Sequence, residues 1–85
     1  MSHPQERLNK RMYALVEAVR SSIPQETADL ADEMITANES PIAIDMLSEV
    51  LAERGATLSP ELVDEFDALA AEAGLGPEAA ARLRG

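Results

Sequence analysis

Cysteine is absent from these 85 residues, which excludes disulfides, thiol nucleophiles and thiolate metal sites. Small secreted domains often rely on disulfide staples, so this absence leans towards the cytoplasm. Aromatic residues are limited to Tyr13 and Phe66. The apolar remainder, mostly Ala, Leu, Ile, Val and Met, favours helices over strands. His3 is the only histidine and lies at the chain end, where fraying is the expected state. The four glycines fall at 55, 74, 76 and 85, as helix stops and a chain end, so no Gly-rich phosphate loop exists. No apolar run approaches membrane-spanning length, and MSHPQERLNKR places charges where a secretory leader would be apolar. The expectation is a soluble cytoplasmic chain without membrane contact.

Basic residues are the most unevenly distributed. Arg7, Lys10, Arg11 and Arg20 lie in the first 20 residues, and Arg82 and Arg84 close the chain. Residues 21 to 81 hold 14 acids and only Arg54, and the whole carries a net charge of −9. Such a surface repels a phosphate backbone, which argues against direct nucleic-acid binding, and its natural complement is a basic partner.

The 46% apolar content is that of a globular chain, and its length suits one domain spanning 1–85. Leu8, Met12, Leu15, Val16 and Val19 recur at helical spacing and predict a helix from about Pro4 to Ser21, with residues 1–4 frayed. Pro24 breaks it. A second helix follows with Ala28, Ala31, Met34 and Ile35 inward, ending near Asn38. Ser40 as N-cap and Pro41 behind it predict the start of a third helix, closed by Gly55. Its apolar face is Ala43, Met46, Leu47, Val50 and Leu51, widened by Ile42 and Ile44. Ser59-Pro60 repeats that opening for a fourth helix with Leu62, Phe66, Leu69, Ala70 and Ala73 inward, stopped by Gly74. Gly76-Pro77 then opens EAAARLR, a short peripheral helix within 77–85. The predicted fold is all-α: a small antiparallel bundle of four helices plus a short C-terminal helix.

Catalysis is not expected. The carboxylates fall on polar helix faces, where they stay solvated, whereas acid–base work requires a desolvated group. A two-metal carboxylate bundle would need Glu-x-x-His spacing, which is missing. Acyl carriers are also small, acidic and helical, but their attachment serine follows an aspartate, and Ile44-Asp45-Met46-Leu47 has Met46 there. No cofactor, metal or catalytic residue is therefore assigned. The ordinary explanation for the acids is a solvated face that keeps a small bundle soluble. Yet Asp45, Glu49 and Glu53 repel one another at i,i+4, a sacrifice that solubility does not require and that a basic partner would reward. The candidate partner-binding residues are Asp45, Glu49 and Glu53 of the third helix with Asp64, Glu65 and Asp67 of the fourth.

Several of these strings also form a family pattern. A leading helix ends near Ile23-Pro24 and a second near Asn38-Glu39; Ile42-Ala43-Ile44-Asp45-x-Leu47 follows. Leu58-Ser59-Pro60-Glu61 then leads to a helix ending Glu72-Ala73-Gly74-Leu75. Over residues 8 to 75 the chain resembles the MafI family of bacterial immunity proteins, short acidic proteins encoded beside polymorphic secreted toxins. Ala52 to Thr57 lacks the aromatics of many members, so no aromatic contact is carried over there. The resemblance implies binding and neutralising a cognate protein toxin inside the producing cell, without catalytic residues. Toxins acting on nucleic acid or nucleotides commonly present basic surfaces, which an acidic inhibitor can meet. The alternative is an acidic helical adaptor or regulatory subunit that docks a basic protein without inhibiting it.

Overall fold

In a computed structural model that describes residues 4–84, the chain folds into α1 (Pro4–Val19), α2 (Gln25–Thr36), α3 (Ser40–Glu53), α4 (Pro60–Glu72) and α5 (Glu78–Arg84). A 3-10 turn, Arg20–Ser22, ends α1, and no strand occurs among the described residues. His3 lies outside the described residues. The all-α class and the element order follow the 3.6-residue periodicity.

Each helix stop has a local cause. Ile23 is extended (φ −133°, ψ 159°), as a residue before proline tends to be. Asn38, Gly55 and Gly74 each adopt positive φ at 61°, 63° and 82°. At all three positions the same pair of backbone bonds closes the helix: Glu39 N–H donates to Met34 O, Ala56 N–H to Leu51 O and Leu75 N–H to Ala70 O. With the matching bonds from Asn38, Gly55 and Gly74 to Ile35, Ala52 and Ala71, these are Schellman ends. The stops differ in residue type and share one geometry.

The core joins Met12, Leu15, Val16 and Val19 of α1, Ala28, Ala31 and Ile35 of α2, and Ala43, Ile44, Leu47 and Leu51 of α3 with Phe66, Leu69 and Ala70 of α4. Phe66 is the largest side chain that is fully buried. The radius of gyration, 11.7 Å, matches the value of about 12 Å expected for a compact chain of this length.

Three sequence expectations need correction. Ser40 is not the N-cap of α3: Glu39 takes that place, with its carbonyl accepting from Ile42 and Ala43, and Ser40 lies buried inside the first turn. The Schellman end of α2 brings Glu39 directly to the cap position, so α3 starts one residue early. Ile42 is exposed at 52%, because it falls on the outer side of that first turn. On α4, Val63 is buried while Leu62 and Ala73 only edge the core.

α5 sits deeper than its alanines suggest. It packs against both α3 and α4, and Ala79 and Ala80 are buried. Small side chains let a helix approach its neighbours closely, so low apolar volume has become close packing rather than exposure.

Candidate functional site

The six acids singled out on α3 and α4 do not form one uniform patch. At about 100° per residue, Asp64 points directly away from the α4 core, while Glu65 and Asp67 lie on opposite flanks of that helix. Glu65 turns towards α1, where Arg11 grips it through Nε at 3.2 Å and Nη2 at 3.0 Å. The same guanidinium reaches Glu72, two helical turns on. Arg11 therefore ties α1 to α4 with two carboxylates.

Asp45 and Asp64 are engaged from another side. Arg82 of α5 places Nη1 2.5 Å from Asp45 Oδ1, and Arg84 places Nη2 3.2 Å from Asp64 Oδ1. Glu49, Glu53 and Asp67 make no ion pair among the described residues. Of these, Glu49 and Glu53 are fully on the exposed side of α3.

Outside the six, Arg20 collects Glu17, Asp29 and Asp32 at 2.6, 3.6 and 3.0 Å and fastens the α1–α2 corner. Arg54 donates from Nε to the Ser22 carbonyl at 3.0 Å and bridges the end of α3 to the 3-10 turn. The basic ends of the sequence thus fold back onto its acidic middle. Part of the charge imbalance along the chain is compensated in space, by arginines distant in sequence from the acids they meet.

These contacts set the electrostatics. The Arg11 guanidinium is held above its ordinary pKa, first by its hydrogen bonds to Glu65, with burial acting in the opposite direction. Arg20 is raised chiefly by its bond to Glu17. Arg82 is raised chiefly by its bond to Asp45, with added attraction from Glu49 and Glu78. A raised arginine pKa means stability that is complete below the unfolded-state value and lost only in strong alkali. The arginine side of each clamp therefore keeps its charge through the ordinary range, and salt weakens the clamps by screening.

Sequence reasoning missed Ser48. It lies mid-helix yet is fully buried, with its hydroxyl donating to the Asp45 carbonyl at 2.9 Å and accepting from Arg82 Nη1 at 3.1 Å. The signal was its position: next to Leu47 and four residues after Ile44, it falls on the inward side of α3.

No family model, curated protein or solved structure matches the chain. Among the described residues no group of three or more acids or histidines could hold a metal ion. No helix among the described residues is long and apolar enough to cross a membrane. A groove of about 300 Å³ lies between the start of α4 and the end of α5, lined by Leu58, Pro60, Val63, Asp64, Leu83 and Arg84.

Proposed function

We propose that this protein is an immunity protein, which binds and neutralises a cognate bacterial toxin by presenting the acidic exterior of α3, flanked by α4, to a basic toxin surface. One observation carries the reading: Glu49 and Glu53 lie one turn apart on the exterior of α3, exposed and without an ion pair among the described residues, beside Asp45 and Asp64, which hold arginines. Two like charges at i,i+4 weaken a helix slightly, so their retention is better explained by a partner than by folding. The resemblance over residues 8 to 75 supplies the kind of partner.

Contact with a basic surface steers association, and truncating an acid buried against a toxin arginine or lysine accelerates dissociation. Asp45 and Asp64 also belong to this surface, but they already hold arginines in cis. Glu65 is removed from it, since Arg11 binds it on the α1 side.

The test is co-expression with the product of the adjacent gene, followed by growth. Rescue of growth together with a salt-sensitive complex supports the immunity reading. A complex that forms without rescue assigns the adaptor role instead. Absence of both sinks the proposal.

A further inference from the structure

Arg82 is held in a way that defines a site. Its Nη1 meets a carboxylate oxygen of Asp45 and the hydroxyl oxygen of Ser48, at 2.5 and 3.1 Å. Ser48 is fully buried and its proton is committed to the Asp45 carbonyl, so its oxygen is left to accept. A carboxylate and a hydroxyl one turn apart on the same helix offer two acceptors to one guanidinium. Asp64 offers a second such point on α4, filled by Arg84. Both cationic groups come from α5.

α5 is also the shortest of the five helices, and it meets α3 and α4 mainly through small side chains. Seven residues are too few for a helix to stand without its neighbours. Its buried side chains are Ala79 and Ala80, with Leu83 only partly covered. The ion pairs that complete its seat are between exposed groups, which contribute little each. A shallow groove lined by Leu58, Val63 and Leu83 runs along its edge beside α4. The Gly74-Leu75-Gly76-Pro77 connection gives it a short tether, with Gly74 already at positive φ. Elements held this way open ahead of the rest of the fold.

Building on the proposed acidic surface, we infer that α5 is a self-docked strap: Arg82 and Arg84 occupy in cis the guanidinium sites of Asp45–Ser48 and Asp64, which an arginine-bearing partner takes over by displacing the helix. The partner then meets a bipartite surface. Glu49 and Glu53 are available from the start and serve encounter. When α5 lifts, Asp45 and Asp64, already open to solvent, lose their arginines, and Ser48 is uncovered together with the apolar floor beneath Ala79 and Ala80. Affinity for such a partner is scaled down to the fraction of molecules in which α5 is lifted.

The test uses the full chain, with octa-arginine as probe at low salt, and reads amide exchange residue by residue alongside affinity. Arg82→Met/Arg84→Met removes both charges and keeps the aliphatic stems. Arg7→Met/Lys10→Met removes the same net charge from residues that make no ion pair among those described, and controls for simple electrostatics. The expected result is α5 exchange about tenfold faster than α3 exchange in the parent, and faster still with peptide. The α5 double variant should bind the peptide more tightly by at least about threefold relative to the control variant. Exchange of α5 at the same rate as α3 in both parent and variant overturns the strap. So does peptide binding that leaves α5 protected, or an affinity gain no greater than the control's; in these cases the acidic surface itself still stands. Failure of every form to bind the peptide overturns the strap and the acidic-surface reading together.

Discussion

Ser40-Pro41 and Ser59-Pro60 are the same dipeptide at the head of two consecutive helices, and they end in different places. Ser59 is extended (φ −65°, ψ 151°) and its hydroxyl accepts from Leu62 N–H at 3.2 Å, so it caps α4. Ser40 is inside α3, 1% exposed, and its Oγ has no hydrogen-bond partner. The connection that precedes each serine makes the difference. From Gly55 the chain has room to extend through Ala56, Thr57 and Leu58 before α4 begins. From Asn38 it has only Glu39, which must close one helix and cap the next. A capping residue is defined by the backbone it arrives on, and its identity alone does not set the register.

The largest expected effect lies behind these two openings, in what each helix carries into the core. Phe66→Ala should destabilise the fold by about 3–5 kcal/mol. Ile44→Ala, the corresponding loss on α3, should cost about 2–5 kcal/mol. Both residues are fully buried, so either variant with an unchanged melting temperature would contradict the packing described.

The stops come next. Gly55→Ala meets no atom within 4 Å, so its cost is the left-handed backbone alone, roughly 1–2 kcal/mol. Asn38→Ala should cost a similar amount, with the loss of the Asn9 side-chain bond at 3.2 Å added. Chemical denaturation of the two variants sharpens the comparison. If Asn38→Ala is neutral, the short connection is not what fixes the start of α3.

The serines themselves should move in opposite directions. Ser59→Ala removes a cap and should cost about 1 kcal/mol. Ser40→Ala removes a buried hydroxyl without a partner and should be neutral or stabilising by up to about 1 kcal/mol. Equal losses at both positions would mean that Ser40 caps after all.

Most of the fold was legible in the sequence, because periodic apolar positions and Gly or Pro stops act locally. Helix ends, Phe66 and the Ser59 cap all follow from neighbours within a turn. What could not be read locally was register after a very short connection, and any charge contact between distant segments. Arg11–Glu65, Arg82–Asp45 and Arg84–Asp64 join residues 54, 37 and 20 positions apart. The clue was present in the composition: basic ends flank an acidic middle, and a chain can be its own basic partner. Of the six acids proposed as a site, the structure leaves Glu49, Glu53 and Asp67 without an ion pair among the described residues.

The smallest effect on stability is expected where the effect on binding should be greatest. Glu65→Lys sets a cation against Arg11, whose paired groups are only partly exposed, and should cost about 1 kcal/mol. Glu53→Lys removes one i,i+4 repulsion with Glu49 and breaks no ion pair, so its change should stay within about 0.5 kcal/mol of zero. Glu49→Lys gains attraction to Asp45 and Glu53 but loses its pull on Arg82, and these contributions oppose each other. Thermal melts at low and high salt should therefore separate Glu65→Lys from the two α3 variants, with the difference shrinking as salt screens the Arg11 clamp. Partner association should rank the other way: reversal at Glu49 or Glu53 slows it and flattens its salt dependence, while Glu65→Lys leaves it nearly unchanged. If Glu53→Lys destabilises the protein as much as Glu65→Lys, the exterior of α3 is tied into the fold and is not a surface kept for a partner.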